Sequence, residues 1–204
     1  STASPDPRWR FGLHYFQGTS NDLGDVFTGS IDMLAQNGLR LTAARMLARD
    51  LFNCPIDMLV EGGIMWHDEK DDQSNFLQYT LALKFEWKKW PWSDHLRTRF
   101  GFGTGLSYAE HIPIAEKVNR GQRSSSHLLH FLDFNLAFNC ADLARLTRLD
   151  RVFFHGNSSC IDHVWLTAGI PHRSGAWGLY GDDKQGEAIQ SGSNYLSIGL
   201  EADF

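Results

Sequence analysis

The chain has 204 residues, of which 42% are hydrophobic, which suffices for an ordered domain and excludes a disordered chain. Charged residues make up 21% and the formal net charge is -5, so no basic field indicates a nucleic-acid partner and we expect none. No segment reaches the roughly 18–20 uncharged apolar residues of a membrane-spanning helix, which excludes a helical membrane protein. Aromatic residues make up 13%, beside 19 glycines and 6 prolines, a composition typical of strands joined by turns.

Strict alternation of apolar and polar side chains marks most of the chain as β-strand. Between Leu77 and Trp87, large apolar residues alternate with residues such as Gln78 and Lys84. Because successive side chains of a strand point to opposite faces, this pattern predicts strands with one apolar face. Seven segments show it, in chain order: Trp9 to Tyr15, Ile56 to Trp66, Leu77 to Trp87, Leu96 to Tyr108, Leu128 to Phe138, Val164 to Ser174 and Leu196 to Phe204.

An eighth strand is expected between Leu39 and Leu51, although this segment is rich in residues of high helix propensity. A closed antiparallel barrel of the outer membrane has an even number of strands, which favours a strand here, and a short helix is the alternative. We therefore predict an all-β fold, an eight-stranded antiparallel transmembrane β-barrel that forms a single domain over residues 1–204.

The charged and aromatic residues indicate which face of the strands points out of the barrel. Charges of both signs share the polar face of the strands, while aromatic residues gather at strand ends, as in the interfacial belts of membrane barrels. The chain also ends on an apolar strand with Phe204 last, which resembles the C-terminal signature of bacterial outer-membrane barrels. We therefore expect the apolar face to meet lipid in the bacterial outer membrane; a soluble barrel, such as a lipocalin-like carrier, is the alternative. The polar face holds Arg10, Asp57, Glu61, Lys84, Glu86, Arg97, Arg99, Asp133, Glu201 and Asp203, and the strand ends hold Trp66, Trp87, Trp90, Trp92, Tyr108, Trp177, Tyr180 and Tyr195.

The connections between strands differ in length in the way expected of an outer-membrane barrel with both termini in the periplasm. The exception is the long periplasmic connection 139–162, in which Val152 to Phe154 could extend a strand. The long outward connections are 18–38, 67–75, 109–127 and 175–193, and the short periplasmic ones are 52–55 and 88–95.

All three cysteines fall on the predicted periplasmic side, where the compartment is oxidising. Cys140 and Cys160 bracket the long connection and are the preferred disulfide pair. A pair that includes Cys54 is the alternative.

Three polar residues interrupt the apolar face of the last two strands. His172 and Ser174 share one face of their strand at about 6.6 Å of backbone rise, so the imidazole can reach the hydroxyl that it would activate as a nucleophile. Asn194 begins the next, antiparallel strand on the same face and can orient His172 by accepting its Nδ1–H. Glu187, in the preceding loop, is the alternative orienting residue. Polar residues that only reach lipid headgroups are the simpler explanation.

The same residues carry a resemblance to a known family. The chain resembles the PagL-type lipid A 3-O-deacylases and the related acyloxyacyl-hydrolase-like outer-membrane proteins between Trp90 and Phe204. The resemblance implies an eight-stranded outer-membrane barrel whose His-x-Ser pair hydrolyses the ester-linked acyl chain at position 3 of lipid A. The best-known members place a Glu at the start of the last strand, where this chain has Asn194. The matching stretches are Pro91-Trp92-Ser93, Gly105-Leu106-Ser107-Tyr108, Ile112-Pro113, His172-Arg173-Ser174-Gly175 and Gly192-Ser193-Asn194-Tyr195.

The expected activity is that of a serine-dependent ester hydrolase acting on lipid A, or lipopolysaccharide, among outer-membrane lipids. Ser174 would attack the ester, with the backbone N–H of Gly175 among the oxyanion donors, and no metal or cofactor is required. Three arginines, Arg120, Arg123 and Arg173, are suited to the phosphates of lipid A.

The acidic loop 67–72 has two interpretations. Its four carboxylates indicate either a solvated loop or a site where divalent cations bridge to the lipid A phosphates. The rival to the enzyme is a non-catalytic outer-membrane barrel, either structural or docking a protein partner through its periplasmic connection.

Overall fold

The computed structural model describes residues 7–120, 125–153, 159–175 and 192–204. Eight antiparallel strands pair in chain order and the first pairs with the last, so the predicted closed barrel is confirmed. The strands are β1 (Trp9–Thr19), β2 (Met33–Ala48), β3 (Ile56–Asp68), β4 (Phe76–Trp87), β5 (Thr98–Ala109), β6 (Leu128–Asn139), β7 (Val164–Ser174) and β8 (Gly192–Asp203). The helices are α1 (Leu23–Thr28), α2 (Ile114–Arg120), α3 (Cys140–Leu146) and α4 (Leu149–Phe153), with 3-10 turns at Leu51–Asn53 and Ser159–Ile161. Within these ranges no helix has the length and apolar character needed to cross a bilayer.

The barrel wall is apolar outside and polar inside. In β1, Arg10 and His14 are buried in the lumen, whereas Phe11 and Leu13 are exposed on the outer surface. The same alternation recurs in the other strands, because each residue of a strand faces the side opposite to its neighbour. The soluble carrier is therefore the wrong alternative, since its apolar face would line the interior.

The segment expected as the eighth strand is β2, so the alternative of a short helix is wrong. It begins at Met33, earlier than predicted, and pairs with β1 on one side and β3 on the other. Leu41 lies opposite Leu13 on the outer face, and Arg40 is buried in the lumen. Backbone hydrogen bonding to two neighbours thus overrides the intrinsic helix propensity of this segment.

Ion pairs fill the lumen. Arg40 Nη2 lies 2.6 Å from Glu61 Oε1, and Lys84 Nζ lies 3.1 Å from Oε2 of the same carboxylate. Glu201 joins Lys84 to Arg99, at 3.5 and 3.4 Å. Buried charges are tolerated only when they are paired, and here each carboxylate has a cation from another strand.

The long connection after β6 is organised by helices and by Arg97. The guanidinium of Arg97 donates to Asp142 at 2.8 Å, to Asn139 at 2.7 Å and to Asp162 at 2.5 Å, and so ties both ends of the connection to β5. The hydrogen bond from Arg97 also lowers the pKa of the Asp162 carboxyl. The predicted strand extension is wrong, because Val152 lies within α4.

The expected disulfide is not formed. Cys54 and Cys140 are both free thiols, which also rules out the alternative pair between these two. Cys140 is the first residue of α3, and Asn139 caps that helix by accepting from Ala141 N and Asp142 N. The cap and the Arg97 contacts hold the connection without a covalent link. The side chain of Cys160 lies outside the described residues.

The end of the barrel away from the termini is closed by α2. Ala115 packs with Phe16, Met65 and Tyr195 in a buried cluster. The prediction that Tyr195 belongs to an aromatic belt is wrong, because its strand neighbour Asn194 faces outward and Tyr195 therefore faces the lumen. Trp66, Trp87 and Tyr108 are exposed at strand ends as predicted. Trp92 is exposed and Trp90 is half-buried, and both lie in the connection between β4 and β5 rather than at a strand end. Trp177 and Tyr180 lie outside the described residues.

Candidate active site

The last two strands bring His172 and Asn194 together, as the sequence predicted. His172 lies directly opposite Asn194 across the β7–β8 pair, and Ser174 lies opposite Gly192. His172 and Ser174 are both half-buried on the outward side of β7, near its end. The hydroxyl and the imidazole thus share one face of a strand at the outer rim of the barrel.

The orientation of the Asn194 amide defines which ring nitrogen of His172 carries the proton. Asn194 Nδ2 donates to the backbone carbonyl of Asn21 at 2.7 Å, and Asn194 Oδ1 lies 2.6 Å from His172 Nδ1. A carbonyl oxygen can only accept, so the amide nitrogen must face Asn21 and the amide oxygen must face the imidazole. His172 Nδ1 therefore carries the proton, and in the neutral ring Nε2 is then the nitrogen that can act as a general base.

The carbonyl that orients Asn194 is itself held in place by a tight turn. Asn21 N donates to Thr19 Oγ1 at 3.2 Å, and Thr19 Oγ1 donates to Asn21 Oδ1 at 2.9 Å. Asp32 N also donates to Asn21 Oδ1. Sequence reasoning missed Asn21, because its polar turn composition does not reveal which distant side chain its carbonyl meets.

A third strand, β6, extends the polar surface with a second histidine. His130 lies opposite Ser174 across the β6–β7 pair, and its Nε2 is 3.0 Å from Thr104 Oγ1. These side chains interrupt an otherwise apolar outer face, where polar groups are costly and mark functional sites. Sequence reasoning missed His130, although it breaks the apolar alternation of β6 just as His172 breaks that of β7.

An apolar groove lies on the outer face beside these polar residues. It has a volume of about 380 Å³ and includes Ile170, two residues before His172, and Leu196, two residues after Asn194. Phe27 of α1 closes one side, with its ring edge-on to Phe134 at 5.1 Å. Sequence reasoning missed Phe27, because a residue in a loop helix carries no periodic signal of where it packs.

Arg173 does not face a substrate, so its predicted role in binding lipid A phosphates is wrong. Its side chain is 0% exposed and donates to Glu116 Oε2 at 2.6 Å and to the carbonyls of Ser126 and His127 at 2.9 and 2.8 Å. The reason is strand alternation, since the residue between two outward side chains faces inward. Arg173 instead ties β7 to α2 inside the barrel.

Several other predicted site residues are only partly described. Gly175 follows β7 directly, and its role as an oxyanion donor stays a prediction. Arg120 ends α2, but its side chain lies outside the described residues, as do Arg123 and Glu187 entirely.

The carboxylates of the loop 67–72 do not converge. Glu69 is buried and accepts from Ile114 N at 2.9 Å, whereas Asp72 accepts from Gln36 at 2.6 Å. Asp68 pairs with Lys70 at 2.5 Å. In the described part of the chain, no three His, Cys, Asp or Glu side chains form a group that could hold a metal ion. The carboxylates of this loop therefore do not form the ligand cluster that a bridging cation would need.

Three solved structures are similar to this barrel. The outer membrane enzyme PagL aligns over 95% of this chain and 99% of its own, with a TM-score of 0.53 and 9% identity. Ail, the attachment invasion locus protein of Yersinia pestis, aligns over 98% and 99%, with a TM-score of 0.41 and 12% identity. OprG from Pseudomonas aeruginosa aligns over 98% and 97%, with a TM-score of 0.38 and 10% identity. The chain matches no protein-family profile, and no curated protein matches it. At 9% identity the similarity to PagL shows the fold alone, which is that of an eight-stranded outer-membrane barrel.

Proposed function

We propose that this protein is a lipid A 3-O-deacylase of the bacterial outer membrane that hydrolyses an ester-linked acyl chain of lipopolysaccharide. The observation that carries the proposal is the hydrogen bond from His172 to an Asn194 amide whose orientation is set by the Asn21 carbonyl. It leaves a base on the outward face of β7, two residues from a serine. The rival barrel without catalytic function gives no reason for Asn194 to face His172.

In the proposed reaction, Ser174 Oγ attacks the ester carbonyl while His172 Nε2 takes its proton. As the bond between the carbonyl carbon and the sugar oxygen breaks, His172 returns this proton to that oxygen, which leaves as a hydroxyl, and the acyl chain remains bound to Ser174 as an acyl-enzyme. Water attacks this ester with His172 as base, which releases the fatty acid and restores the serine. The backbone N–H of Gly175 is the proposed oxyanion donor. Asn194 orients the imidazole but cannot neutralise the imidazolium as a carboxylate would.

The location of the site supports an acyl lipid as substrate. The polar residues lie at the rim opposite the chain termini, which faces outward if the termini are periplasmic, and the apolar groove lies beside them on the lipid-facing wall. An acyl chain can therefore enter from the bilayer without leaving its apolar surroundings. The interior position of Arg173 leaves Arg120 and Arg123 as the arginines proposed to bind the phosphates.

Removal of the Asn194 amide is expected to lower activity through His172. Loss of a hydrogen bond to a ring that becomes charged costs about 1.5–3 kcal/mol, so Asn194→Ala should lower kcat about tenfold to a hundredfold. KM should change little, because Asn194 is buried and acts through the imidazole. Steady-state kinetics with purified lipid A will measure both constants. Asn37→Ala, on β2, is the control, and an equal effect of the two variants would contradict the role of Asn194.

Loss of the Phe27 ring is expected to weaken substrate binding. An aromatic pair is worth about 0.5–1.5 kcal/mol, so Phe27→Ala should raise KM about twofold to tenfold at unchanged kcat. Phe52→Ala, which removes an 89% exposed ring at the opposite end of the barrel, is the matched control. A lower kcat at unchanged KM would show that Phe27 does not bind the acyl chain.

The decisive experiment for the proposed function is incubation of the purified barrel with lipid A, with the products identified by mass spectrometry. We expect loss of one 3-hydroxyacyl chain. If the intact lipid persists with a folded barrel, or if the chain is lost from another position, the proposed activity is wrong.

A second role, docking of a periplasmic protein partner, rests on α4. Val152 and Phe153 are each 69% exposed. Large apolar side chains that are exposed together mark interaction surfaces. We propose this helix as the docking element. Crosslinking in cells at Val152, compared with Arg45 on the outer wall, will test it. Equal yields at both positions would exclude a specific partner.

A further inference from the structure

A second cavity, separate from the candidate active site, lies in the mouth of the barrel at the end that holds both termini. It has a volume of about 290 Å³. Its lining combines apolar surface, from Met46, Leu59 and Trp165, with an excess of positive charge. The cationic residues on the lining are Arg8, Arg10, Arg49, Lys88, Arg97 and Arg99, and the carboxylates are Asp57 and Asp203.

Arg10, Lys88 and Arg97 also pair with carboxylates beyond the lining, namely Glu86, Asp50 and Asp142. The unused hydrogen-bonding capacity lies on Arg99 and Arg8. Asp203 accepts from Arg10 at 2.6 Å and from Arg99 at 3.0 Å, and Trp165 Nε1 also donates to it at 2.9 Å. Arg99 Nε is buried and has no hydrogen-bond partner among the described residues. No ion pair to Arg8 is found in the described part of the chain either. A guanidinium N–H group that no carboxylate accepts is a donor available to an anion.

Arg99 and Trp165 form a rigid wall on one side of the cavity. The Arg99 guanidinium stacks on the Trp165 ring at 3.6 Å from its centroid, and Trp165 is fixed by its hydrogen bond to Asp203. Stacking on an aromatic ring presents the edges of a guanidinium for in-plane hydrogen bonds, an arrangement suited to carboxylate and phosphate groups.

We propose that this cavity is a binding site for a small soluble molecule that carries a carboxylate or phosphate group. The anionic group binds the arginines of the mouth, and the rest of the molecule packs against Trp165 and Met46. The volume lies near the lower limit for ligand pockets of about 300 Å³, which selects a compact ligand. In an outer-membrane orientation with periplasmic termini, the ligand enters from the periplasm. The site lies at the barrel end opposite Ser174 and is independent of the proposed hydrolysis.

Titration of inorganic phosphate into the full barrel in zwitterionic micelles tests the site, with the indole N–H resonance of Trp165 as the reporter. The resonance is assigned with Trp165→Phe. We expect a saturable shift at millimolar phosphate that weakens as sodium chloride is added. The Arg8→Gln/Arg49→Gln double variant should raise the dissociation constant about tenfold. The Arg45→Gln/Arg151→Gln variant removes the same charge from two exposed arginines outside the cavity, and it should leave the constant within about twofold of the wild type.

Each outcome decides the proposal. A saturable shift that only the first double variant weakens supports it. A linear shift, or equal weakening by both variants, would show general attraction to a positive surface and overturn it. Dihexanoyl phosphatidylglycerol provides the lipid arm, and tighter binding of this lipid than of phosphate would contradict a soluble ligand. Well-dispersed amide spectra of every variant confirm that the barrel is folded.

Discussion

Replacement of Ser174 or His172 by Ala is expected to lower kcat for release of the acyl chain from lipid A by about 10³-fold or more. Ser174→Ala removes the attacking oxygen, and His172→Ala removes the base without which a serine hydroxyl is a poor nucleophile. Because the two groups act in the same step, the double variant should lose little more than either single variant. Mass spectrometry of lipid A under single-turnover conditions measures the rate.

The matched control is Ser107→Ala, which removes a buried hydroxyl from the inward face of β5. It should retain wild-type activity. If Ser174→Ala retains activity, another group is the nucleophile and the proposed mechanism is wrong. His130→Ala gives a further distinction, since His130 lies opposite Ser174 and is the other histidine of this polar surface. We expect it to lose much less activity than His172→Ala.

The barrel itself could be predicted from the sequence because one rule, the alternation of side chains along a strand, determines both the strands and their faces. Alternation did not predict β2, where helix propensity argues the other way; the even number of strands in a closed barrel did. The same alternation corrects two of the expected positions. Arg173 lies between two outward residues and must face the lumen, and the same argument places Tyr195 inside, next to outward-facing Asn194.

The sequence likewise predicts only part of the geometry of the candidate site. The meeting of His172 and Asn194 follows from the antiparallel pairing of adjacent strands, which the sequence predicts. The orientation of the Asn194 amide does not, because it depends on a carbonyl in the turn after β1, more than 170 positions away in sequence. The position of Phe27 in the groove is not predictable either, because Phe27 lies on a helix whose packing is defined only in the folded chain.

Prediction of the connection 139–162 fails for a related reason. An apolar run, Val152 to Phe154, and two bracketing cysteines are local signals, and both suggested structure that the chain does not form. The contacts of Arg97 with Asn139, Asp142 and Asp162 define this region instead. Such contacts join residues far apart in sequence, and no pattern within a single segment reveals them.

Neutralisation of Glu201 is expected to destabilise the barrel by about 3–5 kcal/mol, since removal of one partner from a buried ion pair leaves the other charge uncompensated. Glu201 lies within 4 Å of Arg10, Lys84 and Arg99, so Glu201→Gln leaves three cations with fewer counter-charges. The isosteric amide leaves no cavity, and the loss of stability therefore reports on charge. The free energy of unfolding is measured by urea titration in micelles, with the mobility of folded and unfolded barrel on a gel as readout.

Lys70→Gln is the control, because it also breaks an ion pair, with Asp68, but on the exposed loop after β3, where solvent screens the charges. It should leave the free energy of unfolding unchanged. A similar small effect of both substitutions would mean that water screens the lumen as well as the surface. A large effect of Glu201→Gln alone would establish that the lumen is a dry network of matched charges. The rigidity of such a wall is what would keep His172, Ser174 and Asn194 in register on the outside, since β7 and β8 supply residues to both faces.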